Sequence, residues 1–167
     1  GYRNADGTVG TKNILALTVT VNCVTGFANY MVRKIKAELL PRYPNVDDVI
    51  ALNHSYGCGV AIDAPGAAVP VRTIRNISMN PNFGGRILVI GLGCEKLQAE
   101  KLLPGPDRKK SDREAYVRDM VIMQDESFHG FQEMADGVMK LAETHLRELD
   151  RRRREVVPAS ELIVGMQ

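Results

Sequence analysis

The chain has 167 residues, and 44% of them are hydrophobic, which is enough to bury the core of one domain. Its net charge is only +2 and its aromatic content is 5%, so it lacks the basic patch and the stacking platform that are typical of nucleic-acid-binding proteins. No apolar run reaches the roughly 20 residues of a membrane span, and no signal-peptide pattern opens the chain. We therefore expect a cytoplasmic protein that binds neither nucleic acid nor membrane.

The first half of the chain alternates strand-like and helix-like patterns. Residues 14–21 are rich in β-branched side chains and predict a buried strand. Residues 24–40 carry apolar side chains at every fourth position, which predicts a helix that ends before Pro41. Further along the chain the patterns predict a second strand at 46–52, a second helix at 69–79 and a third strand at 86–90.

The second half continues the same alternation. We predict a short helix at 97–103, a polar loop at 104–113, a strand at 116–123, a long amphipathic helix at 127–154 and a fifth strand at 162–166. Repeated strand–helix–strand units favour a mainly parallel sheet. The prediction is one three-layer α/β domain spanning 1–167, with about five strands and helices on both faces, either Rossmann-like or flavodoxin-like.

Three cysteines follow predicted strands. Cys23, Cys58 and Cys94 are spaced by about one strand–helix unit, roughly 30 or more residues. In an open parallel sheet such residues meet at the carboxyl edge, where ligands of α/β proteins bind. The odd number of cysteines argues against a disulfide framework and leaves the thiols available for metal binding or catalysis.

The loop 53–59 combines an imidazole, a thiol, hydroxyls and an amide with two glycines. His54 and Cys58 are candidate metal ligands, because imidazole and thiolate both suit iron or zinc. A packed histidine and a buried thiol are the alternative for each residue alone. Their position beside the other strand ends favours a functional role.

Two more strand ends carry polar residues. The turn 91–96 lies between a strand and a helix, where free N–H groups favour carboxylates or phosphates, and it includes Glu95 as a possible base and Lys96 as a positive charge. It lacks the third glycine of the dinucleotide fingerprint, and a tight turn is the alternative. At 22–26, Asn22 or Thr25 could simply cap the following helix.

Four segments resemble one known family. The chain is similar to the central domain of the galactarate dehydratase and altronate dehydratase family, and the similarity spans nearly all of it. Residues 57–64 are more similar to the galactarate dehydratases than to the altronate dehydratases. The segments are Gly1-Tyr-Arg-Asn-Ala-Asp-Gly-Thr-Val-Gly-Thr-Lys-Asn13, Asn53-His-Ser-Tyr-Gly-Cys-Gly59, Asn80-Pro-Asn-Phe-Gly-Gly85 and Gly91-Leu-Gly-Cys-Glu-Lys-Leu-Gln98.

The resemblance implies a hydro-lyase that dehydrates galactarate to a keto-deoxy-glucarate in hexarate catabolism. It also implies ferrous iron, a small domain before this segment and a larger region after it. We expect the segment to be inactive alone and the enzyme to be a homo-oligomer that binds a small sugar diacid. An iron–sulfur cluster or another divalent metal is the alternative cofactor.

Site roles follow from what dehydration needs, namely a base and electrophilic help for the carboxylate and the leaving hydroxyl. We expect His54 to be a base or a ligand, with Glu95 and Lys96 as further catalytic candidates. Four residues are candidates for substrate binding, and four are candidates for metal binding. The first set is Lys12, Asn22, Asn53 and Arg72, and the second is Cys23, His54, Cys58 and Cys94.

Three alternatives remain open at this point. The chain could be an altronate dehydratase domain, or a non-catalytic assembly domain of the same enzyme whose cysteines are simply buried. It could also be a nucleotide- or phosphate-binding α/β domain that uses residues 91–96.

Overall fold

A computed structural model describes residues 1–57, 61–97 and 119–165 of the chain. A two-stranded antiparallel hairpin comes first, and a four-stranded sheet of entirely parallel strands forms the centre. The hairpin strands are β1 (Tyr2–Arg3) and β2 (Val9–Gly10), and the sheet strands are β3 (Ile14–Val19), β4 (Asp48–Leu52), β5 (Leu88–Gly91) and β6 (Met120–Ile122).

The strand order in the sheet is β4-β3-β5-β6. β3 pairs with β4 on one side, where Thr18 lies opposite Leu52, and with β5 on the other, where Val19 lies opposite Ile90. The chain therefore moves first to one side of β3 and then to the other. The carboxyl ends of β3 and β5 flank this reversal, which is where open α/β sheets form a ligand crevice.

Three helices accompany the sheet: α1 (Thr25–Glu38), α2 (Ala68–Ser78) and α3 (Phe131–Asp150). The apolar side chains of α1 recur every fourth residue, so Phe27, Met31 and Ile35 share one face and are buried. Together with α3 they cover the sheet face that carries Leu15 and Leu17. None of the helices in the described residues is long and apolar enough to cross a membrane.

The opposite face of the sheet carries the alternate residues of β3. Ala16 packs there with Phe83, Ile87 and Val89 in a second, smaller apolar cluster. Side chains alternate along a strand, so Thr18 and Thr20 follow Ala16 on this face. The α/β class and the parallel sheet agree with the prediction.

Residues 162–165 form no strand, so the predicted fifth strand at 162–166 is wrong over the part of it that the structure describes, and the sheet has four strands within the described residues. After α3 the chain runs back to the β1–β2 hairpin, where the N–H of Glu155 donates to the carbonyl oxygen of Gly1 at 2.9 Å. Arg3 forms ion pairs with Glu155 and Glu161. These contacts hold the segment along the hairpin, and its side chains at 162–164 are exposed.

The other predicted elements between 97 and 123 are described only in part. Residues 98–103 and 116–118 lie outside the described ranges, as does the loop 104–113. Within the described residues, β6 occupies Met120–Ile122 of the predicted strand 116–123.

Candidate functional site

A mostly apolar pocket lies beyond the carboxyl ends of β3 and β5, where the strand order reverses. The loop after β4 and the first half of α2 form its sides. Its apolar lining includes Ile62, Val71, Ile74 and Leu97, and its polar lining includes Thr20 and Glu95. The fold therefore places a pocket at the edge that the sequence predicts.

Thr20 and Glu95 connect the two strand ends across this pocket. Their side chains are only 2% and 6% exposed. The Thr20 hydroxyl donates a short hydrogen bond to Glu95 Oε1, and the N–H groups of Leu92 and Gly93 donate to Oε1 and Oε2 at 3.0 and 2.6 Å. The carboxylate thus fixes the turn after β5 against the end of β3.

Gly91 lies close to the side chains of Ile122 and Glu95. A Cβ at Gly91 would lie 2.6 Å from Ile122 Cδ1 and 3.0 Å from Glu95 Oε1. Both distances are too short for a real Cβ to adopt without movement of its neighbours. A larger residue at this position would therefore push against the side chains of Ile122 and Glu95.

The hydrogen bonds set the charge of Glu95. Burial by itself would raise the pKa of its carboxyl group, but the hydrogen bonds from Thr20 and from backbone N–H groups outweigh it and leave the pKa below its usual range. Glu95 is therefore an ionised carboxylate held by three donors. This geometry favours a positioning role over the predicted role as a base.

The same contacts bear on phosphate binding at this turn. A phosphate at a strand–helix turn needs free backbone N–H groups. The N–H groups of Leu92 and Gly93 already donate to Glu95, whose negative charge would also repel a second anion. The arrangement therefore disfavours the nucleotide- or phosphate-binding alternative.

His54 is half-buried, and both of its ring nitrogens contact the backbone. Nε2 lies 3.0 Å from the carbonyl oxygen of Val19, and the N–H of Tyr56 donates to Nδ1 at 3.2 Å. This pattern assigns the neutral tautomer with the proton on Nε2. Burial lowers the pKa of His54 although the bond to Val19 opposes the shift. In this conformation the imidazole has no free nitrogen for a metal or a substrate proton.

The loop that carries His54 also contacts the region after β3. The N–H of Asn22 donates to the carbonyl oxygen of Tyr56 at 2.7 Å. Asn53 Nδ2 donates to Asn29 Oδ1 of α1 at 2.8 Å. The structure therefore brings Asn22 and Asn53 to the same edge, and both residues are exposed there.

Cys23 and Cys94 closely follow the neighbouring strands β3 and β5 along the chain. Each lies four residues beyond one member of the paired residues Val19 and Ile90. Both thiols are free and exposed, as is Lys96 two residues further on. Cys58 lies outside the described residues.

Lys12 and Arg72 are placed differently from the other candidates. Lys12 precedes β3, so it lies at the amino edge of the sheet, away from Cys23 and Cys94. Its N–H donates to Asn82 Oδ1 at 3.0 Å. Arg72 is exposed on α2, next to Val71, which lines the pocket. The structure does not bring Lys12 together with the carboxyl-edge residues.

Comparison with known proteins identifies the family. Residues 1–150 match the family described as D-galactarate dehydratase/altronate hydrolase, second domain. The chain belongs to this family. The match covers the parallel sheet and all three helices, including the pocket at the carboxyl ends of β3 and β5.

Three curated relatives show how the family members compare. Galactarate dehydratase (L-threo-forming) of Escherichia coli is 58% identical over the whole chain, and altronate dehydratase of Bacillus subtilis is 30% identical over the whole chain. Altronate dehydratase of E. coli is 40% identical over 101 residues, which are 58% of the chain. The chain spans 32%, 31% and 19% of these relatives, respectively, and thus about a third or less of their length.

The family resemblance implies an iron site, which would need several His, Cys, Asp or Glu side chains close together. Among residues 1–57, 61–97 and 119–165, no group of three or more His, Cys, Asp or Glu side chains could hold a metal ion. Cys23 and Cys94 supply two thiols at one edge, but both nitrogens of His54 are occupied. The described residues therefore do not complete an iron site.

Sequence reasoning missed the part played by Thr20. The strand residues around it are mainly apolar, yet Thr18 and Thr20 are two threonines on one face, close to the carboxyl end of β3. A polar side chain at an otherwise buried strand end is a signal for a hydrogen-bonding partner. The partner itself lies 75 residues away along the chain, and local patterns do not identify it.

Proposed function

We propose that the protein containing this chain is a hydro-lyase that dehydrates galactarate. The observation that carries the proposal is the 58% identity to a galactarate dehydratase over the whole chain, compared with 30% to an altronate dehydratase over the same residues. We further propose that the enzyme is a cytoplasmic homo-oligomer. We propose that this chain is one domain of a longer enzyme and acts together with flanking regions of the same protein. The greater length of its relatives supports this proposal.

The chemistry of the reaction constrains what this domain contributes. Dehydration removes a proton from the carbon beside a carboxylate and hydroxide from the next carbon, and the resulting enol becomes a keto acid. A diacid substrate needs cationic and amide groups for its carboxylates and hydroxyls. Lys96, Asn22 and Asn53 are exposed near the carboxyl ends of β3, β4 and β5, and they support a binding role.

His54 and Glu95 act in this proposal by holding their loops. The backbone occupies both ring nitrogens of His54, and three donors hold the carboxylate of Glu95. We therefore propose that the proton acceptor lies outside the described residues. Ferrous iron remains our proposed cofactor, with Cys23, Cys58 and Cys94 as thiol ligands, and an iron–sulfur cluster would use the same thiols.

A second candidate function is a non-catalytic assembly domain of the same enzyme. The internal bonding of His54 and Glu95 favours it, because neither side chain is free to act on a substrate in this conformation. This candidate predicts that substitutions at the carboxyl edge change stability or assembly but not turnover by the folded enzyme.

Steady-state kinetics of the full-length enzyme with galactarate and ferrous iron would test the proposal. Lys96→Ala should raise KM for galactarate about tenfold or more, because it removes a charged partner of a substrate carboxylate. Lys12→Ala is the matched control, since this lysine lies at the amino edge of the sheet and should leave KM unchanged. Altronate should be a poor substrate for the unmodified enzyme.

Two results would count against the proposal. A full-length enzyme that prefers altronate to galactarate would overturn the substrate. Unchanged turnover and KM in folded Lys96→Ala, Cys23→Ser and Cys94→Ser variants would favour the assembly domain.

A further inference from the structure

We propose that a second site, at the amino edge of the sheet, binds a small carboxylate or phosphate anion. A cavity with both apolar and charged lining residues lies there between the start of β5 and the carboxyl-terminal turns of α3. Its lining includes Arg86, His145, Glu148 and Arg152. This edge is opposite to the pocket described above, so the inference does not depend on the dehydratase proposal.

Arg152 carries the argument for an anion. Its guanidinium donates to Asn13 Oδ1 at 2.7 Å and to Asn4 Oδ1 at 2.6 Å, and it lies 5.3 Å from the ring centre of Tyr2. These partners are uncharged. None of the ion pairs between described residues involves Arg152. A partly buried positive charge thus lines the cavity without forming an ion pair.

His145 forms part of the cavity wall. It is only 3% exposed, and its Nε2 lies 3.0 Å from Asp119 Oδ1. This nitrogen is therefore directed at the carboxylate of Asp119 and is not a free donor for a ligand. Arg152 alone therefore points to an anion.

Arg86 is held in place beside the cavity by carboxylates. Its Nε and Nη2 donate to the two oxygens of Asp119 at 3.0 and 2.9 Å, and its Nη1 contacts Glu148. Asp119 is buried and directed at Arg86 and His145, whereas the Glu148 side chain is 48% exposed. Glu148 is therefore the negative charge that an entering anion would meet.

The charges around the cavity leave Arg152 unbalanced. Asp119 and Glu148 both pair with Arg86. The carboxyl end of α3 adds roughly half a negative charge, but Asn13 and Asn45 already donate to its last carbonyl oxygens. A guanidinium binds a carboxylate or phosphate through paired hydrogen bonds, which makes a small anion the ligand that fits.

Calorimetric titration of the full-length protein would test the site, with inorganic phosphate and acetate as separate probes at ionic strength held constant by sodium chloride. Arg152→Gln should weaken binding about tenfold or more, because it removes a charged donor. Glu148→Gln should tighten binding about two- to fivefold, the size expected for one partly exposed charge. Glu143→Gln is the matched control, because Glu143 lies on the same helix but pairs with Arg42 and Arg147.

The two probes distinguish a phosphate site from a carboxylate site, and binding of either one supports the proposal. No binding of either anion would overturn it, and so would unchanged affinity in folded Arg152→Gln. If Arg152→Gln does not fold, the comparison of Glu148→Gln with Glu143→Gln decides alone. Equal affinities in these two variants would then refute the site.

Discussion

Replacing Thr20 by valine tests the contact between the ends of β3 and β5. Valine keeps the shape of threonine but removes the hydroxyl that donates to Glu95. The carboxylate would keep its bonds from the N–H groups of Leu92 and Gly93 but lose its side-chain donor. Because Glu95 is buried, water would not easily replace the lost hydrogen bond.

The size of the effect follows from the charge of the acceptor. A hydrogen bond to a charged group contributes about 1.5–3 kcal/mol, and two other donors remain, so we expect Thr20→Val to lower the free energy of unfolding by about 2 kcal/mol at neutral pH. Hydrogen bonds hold the pKa of Glu95 below its ordinary value of 4.5 despite the opposing effect of burial. This stabilisation is complete above that value and is lost as the pH falls through the folded-state pKa.

Urea unfolding of the unmodified protein and the variant at pH 7 and at a series of lower pH values, down to the lowest at which both still fold, would measure the effect. The difference between the two proteins should be largest at neutral pH and should shrink in acid. Thr18→Val is the matched control, because Thr18 is two residues away on the same strand and its buried hydroxyl has no hydrogen-bond partner in the described part of the chain. It should leave stability unchanged or raise it.

A specific pair of outcomes would refute this reasoning. If Thr20→Val and Thr18→Val have the same effect on stability at neutral pH, the hydrogen bond from the Thr20 hydroxyl to Glu95 does not stabilise the protein. If the loss in Thr20→Val stays the same across this whole pH series, the ionised Glu95 carboxylate is not its partner in solution.

Two further predictions concern buried titratable groups. Burial lowers the pKa of His54, so the stability of the protein should fall as the pH drops below the ordinary value of 6.5. His54→Asn removes this effect. The urea midpoints of the variant at pH 7.5 and 5.5 should therefore lie closer together than those of the unmodified protein. An equal change in both proteins would contradict the burial of His54. Asp119→Asn should cost about 3 kcal/mol in urea unfolding at neutral pH, since Arg86 and His145 would lose their shared buried carboxylate, and a loss below about 1 kcal/mol would contradict the pairing.

The parallel sheet could be predicted because its signals are local. The β-branched run that contains β3 predicts a strand that is buried on both faces. The apolar side chains at every fourth residue of α1 predict a helix with one buried face. Elements of this kind depend little on distant residues.

The prediction of a fifth strand was wrong because an apolar run does not show which part of the protein it will pack against. Residues 162–164 have strand-like side chains, but the preceding segment is held to the β1–β2 hairpin through Arg3, Glu155 and Glu161. The hairpin was not predicted, because each of its strands has only two residues. Contacts between residues that are distant in the sequence therefore hold this segment along the hairpin and not in the sheet.

The position of the candidate site was easier to predict than the state of its residues. Topology alone brings Cys23 and Cys94 to one edge, because β3 and β5 are parallel neighbours. Residue type suggested that His54 and Glu95 were free for catalysis. The structure shows instead that their nitrogens and oxygens are bound within the protein, a property that depends on distances between atoms and not on sequence pattern.

These internal bonds converge on the end of β3 and the residues that directly follow it. The carbonyl oxygen of Val19 is the partner of His54, the hydroxyl of Thr20 binds Glu95, and the N–H of Asn22 binds the loop after β4. Three nearly consecutive residues thus hold the two loops that flank the strand-order reversal. A displacement of either loop would therefore break at least one of these hydrogen bonds at the end of β3.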